Sequence, residues 1–374
     1  MPIIRTMAIS ALLVVTASAG EVRLNQIQVI GTHNSYHIAP GPEVMRLIAT
    51  GGQERANAIN YSHVSLSDQF SAQGIRQIEL DVFADRKGGL FADPAMRKIV
   101  RTLGKDPGPD PDQAGVLRKP GMKVLHLPDV DFLTTVPSFA AALSEVRAWS
   151  ESNARHVPIL ILVELKDEII PGIPTRPDPF DKGTIASLEA EILASFPRSH
   201  LLVPDDVRGE FATLPEAIKG RGWPTMDSLR GKVMFALDNE GRHRDLYLDG
   251  HDALRGRLMF ASAPGPEHPA AAWFKINDPT RDFERIRDLV RRGFLVRTRA
   301  DADTVEARKN DGSRRDRALA SGAQYISTDF PVARRDFSSY RVRLPADMVA
   351  RWNPVLNPDD APTGDLEGPL PKKR

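Results

Sequence analysis

Short runs of apolar residues recur along the chain, separated by polar stretches and by segments with helical spacing. Eight of these runs predict buried strands, over residues 27–31, 76–84, 123–127, 158–166, 232–239, 257–263, 294–300 and 324–330. Apolar residues that recur every three or four positions predict helices, over residues 138–150, 184–196 and 282–293. Strands that alternate with helices run parallel, so the pattern predicts an α/β fold whose eight strands close into a (β/α)8 barrel of the TIM type.

An open, doubly wound parallel sheet is the competing arrangement for the same pattern. Such sheets often carry a glycine-rich G-x-G-x-x-G turn after the first strand, and this chain has none there. The barrel is therefore favoured, as a single domain over residues 20–345. Two proline-rich insertions, residues 85–121 and 167–181, follow predicted strands. Both are therefore expected on the carboxyl-terminal face of the barrel, where loops carry function.

The two ends of the chain differ in composition from the predicted barrel. Residues 1–19 combine Arg5, a short apolar run and small residues that end at Ala19. This pattern predicts a secretory signal peptide and a secreted or periplasmic protein, with a buried first strand or helix as the alternative. The apolar run is too short to span a bilayer, so no transmembrane segment is expected in the mature chain. Residues 353–374 contain five prolines and predict a disordered tail.

Composition narrows the classes of function. The 374 residues include 50 Lys and Arg against 49 Asp and Glu, a formal net charge of +1, so charge gives no reason to expect nucleic acid as a partner. The chain has no cysteine, which excludes disulfides, a thiolate nucleophile and zinc–sulfur sites. The oligomeric state is left open.

Titratable side chains lie at the ends of five predicted strands: His33, Glu79 with Asp81, His126, Glu164 with Lys166, and Arg297 with Arg299. Side chains two residues apart on a strand face the same side, so each pair points one way. Ionised groups on nearly buried strands are costly unless they are paired or bind a metal. Taken singly, each has a structural explanation, such as a hydrogen-bonded histidine or an arginine that pairs with a carboxylate. Together, at one barrel mouth, they favour a functional site.

The oxygen-bearing side chains of this set predict a hard metal ion. Asn34, Glu79, Asp81 and Glu164 offer only oxygen ligands, and Ca²⁺ accepts their mixed, irregular geometry more readily than Mg²⁺. Zinc prefers more nitrogen or sulfur ligands than this set offers, although the two histidines could supply nitrogen and so do not exclude it. Two imidazoles beside a cation held by carboxylates suit phosphoryl transfer from a phosphodiester.

Four segments carry a resemblance to a known family. In this order, "VIGTHNSYH", "IELDVF", "KVLHLPDVDF" and "ILVELKDE" resemble the calcium-dependent phosphoinositide-specific phospholipase C family, especially its secreted bacterial branch. The agreement continues through "GAQYISTDFP" and covers most of residues 24–331. The resemblance implies a barrel-fold phosphoric diester hydrolase with Ca²⁺ as cofactor. Its substrate would be phosphatidylinositol or a related phosphodiester lipid at a membrane surface, cleaved between diacylglycerol and phosphate.

The resemblance also implies roles for individual residues. His33 and His126 match the family's two catalytic histidines, and the calcium ligands match four positions: Asn34, Glu79, Asp81 and Glu164. Either ligating glutamate is a candidate base for the inositol 2-hydroxyl, which would attack the adjacent phosphorus. Which histidine protonates the leaving oxygen stays open, as does release of a cyclic or a hydrolysed inositol phosphate.

Substrate-binding residues are expected on two further strands. Lys166 resembles a contact to the substrate phosphate, and Arg297 and Arg299 are added to this group from strand parity alone. No lipid-targeting module or basic cluster for polyphosphorylated head groups is recognisable, so unphosphorylated phosphatidylinositol is the expected substrate. Apolar loops in "GGLFADPAM" and "EIIPGIP" are the candidates for membrane contact.

Two other functions fit parts of the pattern. A glycerophosphodiester phosphodiesterase shares the barrel and an E-x-D pair, but its first motif resembles H-R-G, whereas this chain has His33 followed by Asn34. A non-catalytic secreted protein that binds lipid or carbohydrate on a decayed barrel is the third possibility. A barrel that had lost its catalytic function should also have lost at least one residue that matches the family's site. All six matching residues are present: His33, Asn34, Glu79, Asp81, His126 and Glu164.

Overall fold

A computed structural model describes residues 22–356 and 364–368 of the chain. The predicted signal peptide, residues 1–19, lies outside the described residues. Within the described part, the strands are β1 (Ile27–Thr32), β2 (Gln77–Phe83), β3 (Lys123–Val124), β4 (Ile159–Leu165), β5 (Leu201–Leu202), β6 (Val233–Leu237), β7 (Met259–Ala261), β8 (Trp273–Lys275), β9 (Leu295–Arg299), β10 (Tyr325–Thr328) and β11 (Ala350–Trp352).

The helices surround these strands. They are α1 (Pro42–Thr50), α2 (Gln53–Ala58), α3 (Leu66–Gln73), α4 (Ala95–Thr102), α5 (Phe139–Ser152), α6 (Lys182–Ser195), α7 (Pro204–Arg208), α8 (Leu214–Gly220), α9 (Met226–Leu229), α10 (Gly241–Leu248), α11 (Phe283–Arg291), α12 (Val305–Lys309) and α13 (Ser313–Ala320). No described helix combines the length and the apolar character that crossing a bilayer requires.

Eight parallel strands form a ring in the order β1, β2, β4, β6, β7, β8, β9 and β10, and β10 pairs again with β1. The contact between β7 and β8 is a single parallel bridge, from Ser262 to Trp273. β11 pairs with β1 in the antiparallel direction, outside the ring. The predicted (β/α)8 barrel is therefore confirmed.

One predicted barrel strand is wrong. The run at residues 123–127 gives only the two-residue β3, which pairs antiparallel with β2 through Val124 and Val82. The eighth place in the ring belongs to β8, which sequence analysis did not predict. A short apolar run shows burial but not strand direction or partner, and three residues are too few for a periodic signal.

The tail is ordered where the structure describes it, so the expectation of disorder does not hold there. Asn353 is fully buried and donates a hydrogen bond through Nδ2 to the carbonyl oxygen of Gly322 at 2.6 Å. Farther along, Glu367 pairs with the buried guanidinium of Arg76 and accepts a hydrogen bond from the backbone N–H of Val157 at 2.9 Å. These contacts offset the entropy lost in ordering the described residues of this segment.

Burial in the core explains why the strands are unbroken runs of apolar residues in the sequence. β4 packs on both faces, against the barrel interior and against the outer helices, so six of its seven residues are buried. The neighbouring helices begin at side-chain caps, since Ser138 accepts a hydrogen bond from the N–H of Ala141 and Asp181 accepts one from Thr184. This packing holds the carboxyl ends of the strands in fixed positions around one mouth.

Candidate active site

Three carboxylates from two neighbouring strands meet in the barrel mouth. Glu79 and Asp81 lie on β2, Glu164 lies on β4, and Asp81 pairs in register with Glu164. One oxygen from each of the three lies within 4.8 Å of the others. Glu79 and Asp81 are buried, whereas the Glu164 side chain is 27% exposed. The alternation of side chains along β2 thus places its two acids together, as the sequence predicted.

The carboxylates have the chemistry of a cation site. Burial raises the pKa of Glu79 to about 8, despite the neighbouring Arg297, and raises that of Asp81 to about 8, despite Lys166. Neither carboxylate oxygen of Asp81 accepts a well-formed hydrogen bond from any described residue. Buried carboxylates that repel one another are stabilised by a bound hard cation, which these oxygen donors suit.

Asn34 follows β1 in the left-handed backbone region, with a φ of 44°. Its side-chain amide donates a hydrogen bond through Nδ2 to the hydroxyl of Tyr61 at 3.1 Å, which leaves Oδ1 as the atom able to bind a cation. The next residue, Ser35, is tied to β2, because its N–H donates to the carbonyl of Glu79 and its Oγ accepts from the N–H of Glu79. Asn34 is therefore fixed beside the carboxylates of β2.

His33 is oriented by a carboxylate from the last barrel strand. Its Nδ1 lies 2.8 Å from Oδ1 of Asp329, and its Nε2 lies 3.6 Å from Oε1 of Glu79. Burial, reinforced by Arg299 and Arg297, lowers the pKa of His33 well below its ordinary value, so the imidazole is neutral near pH 7. With Nδ1 held by Asp329, Nε2 faces Glu79.

His126 is oriented by a different carboxylate. Its Nδ1 lies 2.8 Å from Oδ2 of Asp131, and its side chain is 28% exposed in the mouth. Asp131 also binds Nε2 of the fully buried His37 at 2.8 Å, and Nδ1 of His37 donates to the carbonyl oxygen of Tyr61 at 3.0 Å. Although burial opposes it, the two histidines lower the pKa of Asp131 to about 2. Asp131 is thus an anion shared by two imidazoles.

The three predicted cationic residues reach the same mouth. The ammonium of Lys166 lies 3.1 Å from Oε1 of Glu164 and 3.3 Å from Oδ2 of Asp81. Arg297 is buried and donates to the carboxylate of Glu79 and to Oγ of Ser327. Arg299 lies 3.3 Å from Oδ2 of Asp329. In this structure all three cations are partners of carboxylates, which is the structural explanation considered for the arginines above.

Sequence analysis missed four charged residues of the mouth: Asp131, Asp238, Lys275 and Asp329. Asp329 follows β10 and Asp238 follows β6, so both obey the rule that found the other candidates, a titratable residue at a strand end. Lys275 ends β8, a strand that was not predicted. Asp131 lies on a loop, and its role depends on a turn that brings it back to His126, for which the sequence carries no periodic signal.

Comparisons with known proteins identify the family and the fold of this chain. The model of a family described as phosphoinositide phospholipase C, Ca²⁺-dependent, matches residues 22–354. No curated protein sequence matches the chain.

Solved structures share the fold. A calcium-dependent phosphoinositol-specific phospholipase C from the Gram-negative bacterium Pseudomonas sp. is similar with a TM-score of 0.51 at 15% identity, covering 88% of this chain and 95% of that one. A Ca²⁺-dependent phosphatidylinositol-specific phospholipase C from Streptomyces antibioticus gives 0.51 at 18% identity, covering 83% and 95%. At these identities the structures establish the fold, whereas the family model spans nearly the whole barrel. The chain therefore belongs to the Ca²⁺-dependent phosphoinositide phospholipase C family, whose members are phosphodiester hydrolases.

Proposed function

We propose that the mouth of the barrel cleaves unphosphorylated phosphatidylinositol, releasing diacylglycerol and an inositol phosphate, with His126 as the general acid and His33 as a residue that stabilises the phosphorane. One observation carries the proposal. Two imidazoles, each oriented by its own carboxylate, lie in the same mouth as a group of three further carboxylates. A phosphodiester needs both elements, charge stabilisation at the phosphate oxygens and proton transfer at the attacking and leaving oxygens.

The calcium ligands in this proposal are Asn34 through Oδ1, Glu79, Asp81 and Glu164. Their oxygens fit the ion, and the buried Asp81 carboxylate has no other well-formed acceptor role among the described residues. Bound there, Ca²⁺ supplies positive charge to the phosphate oxygens and acidifies a coordinated hydroxyl.

The two histidines have different roles. Asp131 turns Nδ1 of His126 away from the mouth, so Nε2 is the atom that donates a proton to the departing diacylglycerol oxygen. His33, held by Asp329, presents Nε2 beside Glu79 and stabilises the phosphorane. Glu79 or Glu164 takes the proton of the inositol 2-hydroxyl as that oxygen attacks phosphorus.

The cationic side chains complete the phosphate site. We assign Lys166 to the substrate phosphate, because its ammonium lies between two of the carboxylates that bind the cation. Arg297 and Arg299 already hold Glu79 and Asp329, so their contribution to substrate binding runs through the orientation of those carboxylates.

The substrate is a lipid, so the mouth must meet a membrane surface. Ile169 is 66% exposed and Leu90 is 37% exposed, and both lie in insertions that follow barrel strands. We assign these two loops to bilayer contact. Together with the signal-like residues 1–19, this supports a secreted or periplasmic enzyme.

A phosphorus NMR assay of phosphatidylinositol vesicles, with Ca²⁺ or with chelator, tests the proposal. The wild-type protein should release water-soluble inositol phosphate only with Ca²⁺. His126→Ala should lower kcat by roughly 10²- to 10⁴-fold while circular dichroism stays unchanged, since general acid catalysis is worth about that much.

His200→Ala is the matched control, because His200 precedes β5 at the opposite end of the strands from the mouth. It should keep wild-type turnover. Near-full activity of the His126 variant would remove that residue from the mechanism. Cleavage of glycerophosphocholine in place of phosphatidylinositol would favour a glycerophosphodiester phosphodiesterase instead.

A further inference from the structure

An ion pair that the mechanism above does not use lies on the strands next to the proposed cation site. Asp238 follows β6, where its N–H donates to the carbonyl of Val163 on β4 at 2.9 Å. Val163 precedes Glu164, so Asp238 lies level with that carboxylate on the neighbouring strand. Lys275 ends β8, and its ammonium lies 2.6 Å from Oδ2 of Asp238.

Only one oxygen of this carboxylate is satisfied. Asp238 is 3% exposed, and its Oδ1 accepts no hydrogen bond from any described residue. Burial opposes ionisation, but Lys275 and Arg297 hold the pKa of Asp238 below its ordinary value. The group is therefore an anion that can only accept hydrogen bonds, with one acceptor atom still to be paired. A buried acceptor without a donor is costly, which points to a donor supplied by a ligand.

The proposed metal ligands are other carboxylates. The group of carboxylates whose oxygens lie within 4.8 Å of one another is Glu79, Asp81 and Glu164, and Asp238 is not among them. Asp238 instead acts electrostatically on His33 and Arg297, which places it beside the reacting groups.

A carboxylate beside an ammonium is suited to a polyhydroxylated ring. The carboxylate accepts a hydrogen bond from one hydroxyl, and the ammonium donates to the same or an adjacent hydroxyl. A phosphomonoester at that position would bring a charge of about −1.5 to −2, which a single ammonium already paired with Asp238 does not balance.

We propose that Asp238 and Lys275 bind free hydroxyls of the inositol ring and select head groups that carry no phosphate at those positions. This inference rests on the proposed function and adds the residues that set its substrate class.

The test compares steady-state cleavage of phosphatidylinositol and of its ring monophosphates at positions 3, 4 and 5, in mixed micelles at saturating Ca²⁺. For the isosteric Asp238→Asn variant, kcat/KM on phosphatidylinositol should fall about tenfold or more, mainly through KM, because a charged hydrogen bond to a hydroxyl is lost. On at least one monophosphate, kcat/KM should stay the same or rise, because repulsion is removed.

Lys275→Met is the second variant, because it removes the donor while Asp238 stays. It should weaken cleavage of phosphatidylinositol and of every monophosphate. Glu189→Gln is the matched control: Glu189 forms a similar ion pair with Arg257, but on α6 outside the mouth. This control variant should leave unchanged the ratio of kcat/KM on phosphatidylinositol to kcat/KM on each monophosphate.

The outcomes separate the two proposals. If the wild-type protein cleaves none of these lipids, the proposed function fails and this inference falls with it. If the wild-type protein cleaves phosphatidylinositol and Asp238→Asn lowers activity on all lipids by one common factor, the pair is structural and the inference is overturned. The inference is also overturned if Asp238→Asn is fully active and has the wild-type ratio of kcat/KM between phosphatidylinositol and the monophosphates.

Discussion

Each histidine of the mouth is held by a carboxylate that comes from a separate part of the chain. Asp329 follows the last barrel strand and binds His33, while Asp131 lies on the loop after β3 and binds His126. In both rings the carboxylate contacts Nδ1, which leaves Nε2 to face the mouth. Orientation by Nδ1 is therefore a common rule of this site, although the supporting elements differ.

Asp131 should matter for stability as well as for activity. Asp131→Asn leaves His37 and His126 without their shared anion, and breaking such a buried pair costs roughly 3 to 5 kcal/mol. We expect a lower midpoint in urea unfolding and a lower kcat. Unfolding that matched the wild-type protein would mean that the His37–Asp131 contact contributes nothing.

The same carboxylate predicts a pH dependence. The pKa of Asp131 is about 2 in the folded protein, against roughly 3.9 when unfolded, so its contribution of about 2 to 3 kcal/mol is complete above pH 4. It is lost as the pH falls from 4 toward 2. Urea unfolding across this range should show a shallower loss of stability for Asp131→Asn than for the wild-type protein.

Individual site residues could be predicted from the sequence where a strand carried them. Glu79 and Asp81 stand two residues apart on β2, and the period of a strand is enough to place them together. Asp131 could not be found this way, because only the tertiary path of its loop returns it to His126. Likewise, sequence spacing does not give the distance from Arg297 to a carboxylate, so it could not decide whether Arg297 binds substrate or a carboxylate.

At the scale of elements, the close contact of β1 and β2 depends on one residue. A Cβ atom at Gly31 would lie 2.7 Å from Cβ of Gln77, and closer still to the end of that side chain. The amide of Gln77 donates to the carbonyl of Thr32, one residue before His33, at 3.0 Å. The glycine therefore sets the spacing of the two strands that carry much of the site.

Gly31→Ala should consequently destabilise the barrel by about 1 to 3 kcal/mol or more, the usual cost of overpacking a core. Differential scanning calorimetry should show a lower Tm, and activity should fall because His33 and Asn34 move with β1. Gly265→Ala is the control, since a Cβ there meets no atom within 4 Å. Equal Tm values for the two variants would contradict this account of the β1–β2 contact.

Strand prediction succeeded for long elements and failed for short ones. β2 and β4 have seven residues each, and their runs of buried residues stand out in the sequence. β3 and β8 have two and three residues, and neither length defines a period. The total of eight barrel strands was right, but one member was wrong, because β8 replaces β3.

For the molecule as a whole, the proposed cation site predicts that stability depends on Ca²⁺. In the proposed function, Ca²⁺ binds the folded protein through groups that the unfolded chain does not bring together. It should therefore raise the free energy of unfolding with the logarithm of its excess over Kd, by about 2.7 kcal/mol at a hundredfold excess, and Tm should rise accordingly. Chelator should reverse the shift. Thermal unfolding monitored by fluorescence, without substrate, measures this directly.

Asp81→Asn should reduce the calcium-induced shift in Tm, because one anionic ligand is lost. Asp167→Asn serves as the comparison: Asp167 also lies at the end of β4, but Arg242 and His243 already pair with it. This variant should keep the full shift. An identical calcium response of the Asp81 variant and the wild-type protein would exclude Asp81 as a ligand.

The ring of strands is closed between β7 and β8 by a single backbone bridge, between Ser262 and Trp273. The two segments meet there at that bridge and at a hydrogen bond from the N–H of Lys275 to Oγ of Ser262 at 3.1 Å, and no helix lies between β7 and β8. Lys275 is therefore held toward β7 by its backbone N–H and toward β6 by its ammonium, which pairs with Asp238. We expect the side of the cup that carries Lys275 to adjust to a bound head group more readily than the side built on β2 and β4, which share a ladder of six residue pairs.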